Sequence, residues 1–269
     1  MIKNVLTIAG SDPSGGAGIQ ADLKSFAANG TYGMAALTAL TAQNTQGVSG
    51  VELVPPGFVQ AQIEAVFADV RVDAVKIGMI ATADIARAVA RALSGHDDIP
   101  IVLDPVMVAK GGAPLLEPDA MEALRTALVP LATLITPNLP EAARLLDRAE
   151  ARDRDEMADQ ALALTQLGPQ AVLIKGGHLD GGDSPDVLAQ DDQLHWFEGV
   201  RTPTKNTHGT GCTLSAAIAA HLAKGASAIT AVEQAKQYIS GAIAAADSLT
   251  VGQGHGPVHH FYNLWKDAM

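Results

Sequence analysis

Two hydrophobic rhythms alternate along this chain. Short, mainly apolar runs at residues 5–9, 74–77, 101–103, 133–135 and 171–174, interrupted only by Thr7, Lys76 and Thr133, read as strands buried on both faces of a sheet, which need no polar alternation because neither face meets water. Between them, residues 17–28, 58–68, 83–93, 119–128 and 157–167 carry helix formers with apolar positions three and four apart. That spacing makes a stripe along one side of a helix. Strand and helix in turn predict an α/β fold with a mainly parallel central sheet and helices on both faces.

The rest of the pattern adds detail. Residues 34–42 and 51–54, with Gly47 and Gly50 between them, read as strands beside the first crossover. Residues 187–189 and 194–197, around Gln190-Asp191-Asp192-Gln193, read as a β-hairpin. The C-terminal third turns helical at 213–223 and 228–249, with Gly225 and Ser227 at the break. Gly181-Gly182-Asp183-Ser184-Pro185 reads as a solvated loop. No linker-like shift in composition and no long repeat interrupts the chain, so one domain over residues 1–269 is expected. His259 and His260 are sequence neighbours, predicted to fall on different sides of a helix with no third ligand in step, so no metal site is expected there.

Composition narrows the function classes. At 269 residues and 48% hydrophobic the chain can bury a substantial core. Its single cysteine, Cys212, excludes an internal disulfide and fits a reducing compartment, which points to the cytoplasm. The first apolar run is shorter than the ~7–15 residues of a signal-peptide core, and no run approaches the ~18 needed to span a bilayer. No membrane partner is expected. Lys plus Arg is 18 against 29 Asp plus Glu, a net charge of −11, the wrong sign for a nucleic-acid surface. An anionic ligand would need local help from backbone N–H groups, a metal ion or one or two placed lysines.

The residues that offer such help sit at the ends of predicted strands and at the start of one helix. Asn206-Thr207-His208-Gly209-Thr210-Gly211-Cys212 leads into an apolar helix. Gly209 and Gly211 permit close approach of an anion, and the first helical turn offers unpaired N–H groups and the positive end of the helix dipole. Cys212 at that junction is expected to have its thiolate stabilised, making it a candidate proton acceptor. The same residue also reads as a small buried hydrophobe. Asp104-Pro105-Val106-Met107, Asn138-Leu139-Pro140-Glu141 and Lys175-Gly176-Gly177-His178 leave three other strand ends. Taken singly, Asp104 reads as a loop cap, Glu141 as a helix start and Lys175 as a surface lysine. Together they place two carboxylates, an amide and a cation along one edge of a parallel sheet, suited to nucleotide phosphates and magnesium. No Gly-x-x-x-x-Gly-Lys-Ser/Thr is present. In the loop from Gly10 to Gly18, Gln20 and Ala21 follow where the third glycine of a dinucleotide fingerprint belongs.

At this point the chain resembles the hydroxymethylpyrimidine/phosphomethylpyrimidine kinases of thiamine biosynthesis, in the ribokinase-like superfamily. The resemblance rests on Ala9-Gly10-Ser11-Asp12 with Gly15-Gly16-Ala17-Gly18-Ile19-Gln20-Ala21-Asp22, on Leu40-Thr41-Ala42-Gln43-Asn44-Thr45 and on Val75-Lys76-Ile77-Gly78-Met79. The three strand-end segments, the Cys212 motif and Gly254-His255-Gly256-Pro257-Val258 continue it, in order, over nearly the whole chain. Cysteine stands where the wider superfamily usually has aspartate, which marks the pyrimidine-kinase and pyridoxal-kinase branch. The resemblance implies a three-layer sandwich and transfer of phosphate from ATP, with Mg2+, to 4-amino-5-hydroxymethyl-2-methylpyrimidine and then to its monophosphate. It implies that Gln43 reads the pyrimidine while Gly10, Asp22, Met79 and Val106 shape its pocket. Gly209, Gly211 and Cys212 would form an anion hole, with Thr210 and Asn138 on the nucleotide side. Lys175 would contact phosphates, and Asp104 with Glu141 would organise magnesium. A homodimer is expected on the same ground. The nearest alternative is a pyridoxal kinase, and a non-catalytic pyrimidine sensor is a different class of answer.

Overall fold

Successive residues of the central strands enter opposite cores. Leu6, Ile8, Val75, Ile77, Ile101 and Leu103 pack on one side of the sheet, and Val5, Ala74, Val102 and Leu134 on the other. This is the period of two expected of a strand buried on both faces. The structure is a computed structural model describing residues 1–108, 115, 117, 119–179 and 181–265.

The strands are β1 (Asn4–Ser11), β2 (Tyr32–Asn44), β3 (Gly47–Leu53), β4 (Ala74–Ile77), β5 (Ile101–Leu103), β6 (Leu134–Ile135), β7 (Ala171–Lys175), β8 (Asp186–Gln190) and β9 (Gln193–Phe197). They form one sheet in the order β3-β2-β1-β4-β5-β6-β7-β8-β9. The six strands from β2 to β7 in that order run parallel, with antiparallel β3 at one edge and the antiparallel β8–β9 hairpin at the other.

The helices are α1 (Gly18–Ala28), α2 (Pro56–Asp69), α3 (Ala83–Leu93), α4 (Ala120–Ala123), α5 (Leu139–Leu146), α6 (Arg154–Thr165), α7 (Thr210–Ala223) and α8 (Ala228–Ala244). Helices α2 to α6 cover the face lined by Leu6 and Ile77, while α1, α7 and α8 cover the face lined by Val5 and Val102. The result is a three-layer α/β/α sandwich. Because the central strands are parallel, their carboxyl ends share one edge. At the step between β1 and β4 the chain reverses its direction of travel across the sheet, which opens a crevice at those ends.

Three expectations are corrected. The helix expected at 119–128 is α4 followed by a wider turn over Leu124–Leu128, in which Val129 N–H bonds back to Leu124 O. Pro130, which has no N–H to donate, then lies in a tighter 3-10 turn over Val129–Leu131. The last long helix stops at Ala244, with a 3-10 turn over Ala246–Ser248 in place of its final turns. His259 and His260 are buried outside any helix, with His259 N–H bonded to Ala242 O. The 181–185 loop is exposed at Gly181, Gly182 and Asp183, as expected of a solvated loop, and is tied down at its end, where Ser184 N–H bonds to Gly199 O and Ser184 O accepts from Lys236 Nζ at 2.8 Å.

Candidate active site

A cavity of about 870 Å³ opens along the carboxyl edge of the sheet. Of the residues singled out in the sequence, Gly10, Gln43, Met79, Asp104, Val106, Asn138, Glu141, Lys175, Gly209, Thr210, Gly211 and Cys212 all line it. Asp22 does not.

The start of α7 is built by glycine. Gly209 is its N-cap at φ 76°, a left-handed conformation that glycine adopts without strain. A Cβ there would also collide with the carbonyl of Gly16. The helix start therefore nests against the β1–α1 loop. The N–H groups of Gly211 and Cys212 precede the first helical hydrogen bond, which runs from Thr213 N to Gly209 O, so they are free to face an anion. A Cβ on Gly211 would lie 3.4 Å from Lys175 Nζ and 3.5 Å from Asp104 Oδ2. Absence of a side chain there leaves open the space between helix start, cation and carboxylate.

Lys175, at the end of β7, donates to Asp104 Oδ1 at 2.9 Å and lies 3.8 Å from Glu141 Oε2. Burial opposes its charge, but Asp104 and Glu141 outweigh burial and hold its pKa above the ordinary lysine value. Asp104 also accepts from Thr136 Oγ1 at 3.2 Å, and Lys175 and Lys76 keep its carboxyl low against burial. Glu141 has a second task. Asn138 Oδ1 accepts from Glu141 N at 2.9 Å while Glu141 Oε2 accepts from Asn138 N at 2.8 Å, a capping box that starts α5. Burial pushes Glu141 up to about 7, with Lys175 opposing and Asp104 adding to the rise.

Asp22 and Lys76 form a buried pair. Both side chains are 0% exposed and Lys76 Nζ reaches Asp22 Oδ2 at 2.9 Å, while Thr7 Oγ1 donates to the same oxygen at 2.6 Å. Burial disfavours the ammonium, but Asp22, Cys212 and Asp104 together raise its pKa. Lys76 lines the cavity and Asp22 stands behind it. The pocket-shaping role expected for Asp22 therefore passes through Lys76 rather than through direct contact.

Cys212 also departs from expectation. Burial raises its thiol; Lys76 opposes, Asp22 and Asp104 add, and the Gly18 backbone N–H at the start of α1 opposes again, leaving it at about 11. The loss of water and the two carboxylates outweigh Lys76 and the Gly18 N–H. In the free protein this residue is a thiol, not the stabilised thiolate that its position suggests.

Several cavity residues gave no local signal. Asp12 Oδ2 lies 2.8 Å from His208 Nε2 and accepts from Ala17 N at 2.8 Å, while its Oδ1 accepts from Ser14 N and Oγ. Burial raises Asp12, but His208, Ser14 and Ala17 outweigh it and bring it down to about 2. At the far end, Asp186 accepts from Lys236 Nζ at 2.5 Å and from Gly176 N at 3.0 Å. Gln43 is aimed by a bulge: it pairs with Val48 while Ala42 pairs with Gly50, leaving Ser49 as the extra residue.

The donor set suits magnesium. Among the described residues no cluster of three or more His, Cys, Asp or Glu side chains is gathered to enclose a metal. Asp104 and Glu141 flank one lysine, and Asp104 Oδ2 has only a long 3.4 Å contact from Ser215 Oγ. Two hard oxygen donors beside open space fit an ion that keeps its waters and takes phosphate oxygens.

The phosphomethylpyrimidine kinase family model matches residues 12–259. The chain belongs to that family. It is 56% identical over 262 residues to the hydroxymethylpyrimidine/phosphomethylpyrimidine kinase of Salmonella typhimurium, covering 97% of this chain and 98% of that protein. A Bacillus subtilis pyridoxal kinase solved as an ADP complex superposes with a TM-score of 0.90 at 40% identity, covering 98% of this chain and 100% of the other. A Clostridium difficile phosphomethylpyrimidine kinase gives a TM-score of 0.79 at 45% identity, over 88% and 98% of the two chains. The neighbours share the ribokinase-like fold, and the kinase family and ADP-bound neighbour agree with ATP as the phosphoryl donor.

Proposed function

We propose that this chain transfers the γ-phosphoryl group of ATP to the hydroxymethyl oxygen of 4-amino-5-hydroxymethyl-2-methylpyrimidine and then to the resulting monophosphate, supplying the diphosphate for thiamine biosynthesis. The observation that carries the reading is the convergence of the free N–H groups of α7, Lys175 and Asp104 on the open space at Gly211. That arrangement suits a phosphoryl group in flight. The whole chain, residues 1–269, acts as one domain, since elements from β1 to α8 wall the same cavity.

The acceptor ring lies at the β1–β4 end, against Gly10, Met79 and Val106, with the Gln43 amide reading a ring nitrogen and the amino group. The nucleotide takes the other end. There Val200, Ile239 and Ile243 supply apolar wall for the base, and Asn138, Lys175 and Thr210 face its phosphates. Asp104 and Glu141 would hold magnesium, partly through water, and the ion would neutralise charge on the phosphates. An unpaired cysteine fits the cytoplasm. No helix among the described residues is long and apolar enough to cross a membrane.

Cys212 receives the proton of the alcohol in the first transfer from its thiolate form, whose own proton has first gone to solvent; a positioned base of this kind contributes roughly 10²–10⁴ in rate. The second acceptor is a phosphate monoester with a second pKa of about 6, already ionised near neutrality, and needs no base. Cys212→Ala should therefore depress phosphorylation of the alcohol by about 10²-fold or more and that of the monophosphate by far less. In the wild type the alcohol reaction should climb with pH above 7, as the thiol approaches its value of about 11, while the monophosphate reaction stays level. Product formation from each substrate, followed separately, checks both points. Equal losses in the variant would mean that Cys212 acts through the geometry of the helix start. A pyridoxal-kinase reading has the Bacillus subtilis neighbour in its favour, and turnover of pyridoxal but of neither pyrimidine would establish it instead.

A further inference from the structure

The ladder between β7 and β8 ends with Lys175 opposite Asp186. One step further the register would set Gly176 against Pro185, which has no N–H to give. There a side chain takes over from the backbone: Gly176 N–H donates to Asp186 Oδ1 at 3.0 Å. The fit is close, since a Cβ on Gly176 would lie 1.9 Å from the Pro185 carbonyl oxygen. On the other side of β7, Lys175 N–H bonds to Pro137 O at 2.9 Å. The residue that carries the ammonium of the site is thus fixed by backbone on one side and by a carboxylate on the other.

That carboxylate is itself clamped. Asp186 Oδ2 accepts from Lys236 Nζ at 2.5 Å, and the same ammonium donates to Ser184 O at 2.8 Å. Lys236, on α8, passes close to Gly199, where a Cβ would lie 3.0 Å from its Cε and 3.1 Å from its Nζ. Asp186 is buried, and a carboxylate taken out of water is kept only by partners of this kind. Its bonds are charge-assisted and stronger than neutral ones. We propose that Asp186 is a positioning residue for Lys175: clamped by Lys236 of α8, it holds the Gly176 N–H and so fixes the corner at which the chain leaves β7 and from which Lys175 reaches the phosphates. The proposal rests on the reading that Lys175 meets the phosphates of the nucleotide. It gives the Asp186–Lys236 pair a task, because a displacement of about 1 Å in a group that orients a reacting phosphate is enough to matter.

The test is a double-mutant cycle on ADP binding with magnesium, followed by titration calorimetry in the wild type, Asp186→Ala, Lys175→Met and the double variant, with circular dichroism confirming that each is folded. In the wild-type background Asp186→Ala should weaken ADP about tenfold. In the Lys175→Met background the same change should cost less than about twofold, because the residue through which it acts is already gone. Should Asp186→Ala not fold, Asp186→Ala combined with Lys236→Met, which leaves no buried charge unpaired, replaces it in the cycle. Asp186→Asn combined with Lys236→Met removes both charges but keeps an oxygen to accept from Gly176 N–H, and should bind ADP within about threefold of the wild type. Equal losses from Asp186→Ala in the two backgrounds overturn the proposal, since the carboxylate would then act on the nucleotide directly or support the wall at large. A loss in the neutral pair as large as that of Asp186→Ala also overturns it, assigning the effect to charge. Unaltered binding by Lys175→Met would instead overturn the reading of Lys175 as a phosphate contact, and the positioning role with it.

Discussion

Glu141 holds two positions at once, third residue of a capping box and carboxylate beside Lys175. Its pKa of about 7 in the folded protein stands above the 4.5 of an ordinary glutamate, so between those values the native state holds a proton that the unfolded chain has released. Stability of the free protein should therefore fall as pH rises through that window and level off above it, by roughly 1–3 kcal/mol at most. Glu141→Gln keeps the cap, because a glutamine oxygen also accepts from the Asn138 N–H, and removes the titration. Thermal unfolding from pH 5 to 8 should show the variant losing less stability than the wild type, and parallel curves would refute this. Lys76 shows why some of the site was hidden in the sequence. It lies in an apolar run with no periodic reason to be charged, and its partner Asp22 is on α1, across an interface that only the assembled sheet creates.

Elements were legible where one local rule dominates. Residues 74–77, 83–93 and 101–103 coincide with β4, α3 and β5 as expected, because continuous burial or a 3.6-residue stripe leaves no competing choice. Helix α6 begins ahead of its apolar stripe because Asp153 caps it, accepting from Glu156 N at 2.9 Å. The turn over Leu124–Leu128 was hidden because a wider turn changes one hydrogen bond, not the composition. Gly209 supplies a test at this scale. A side chain there would press on the Gly16 backbone and push the start of α7 away from the phosphates. Gly209→Ala should reduce both phosphoryl transfers alike, by about 10²–10³, in contrast to the split expected of Cys212→Ala. Rates on the two substrates, measured side by side, distinguish a displaced helix from a lost base.

At the scale of the whole molecule, the antiparallel edge made by β2 and β3 is the most exposed apolar region of the sheet. Leu40 is 50% exposed, Val51 44% and Leu53 41%. An open edge of this kind invites pairing, which supports the homodimer proposed from family resemblance. Light scattering at micromolar concentration should give about twice the monomer mass of 27.7 kDa, and Leu40→Asp with Val51→Asp should return it to the monomer. A monomeric wild type would remove the dimer from the account.

The parallel sheet has a further consequence for how the protein comes to life after synthesis. The chemical groups hang from the ends of strands drawn from opposite ends of the chain, and Cys212, at the start of α7, takes a hydrogen bond from Gly18, at the start of α1. No early portion of the nascent chain holds both halves of that contact. Phosphoryl-transfer competence should therefore appear in one late step, when the last helices dock, rather than grow in proportion to the length of chain already folded.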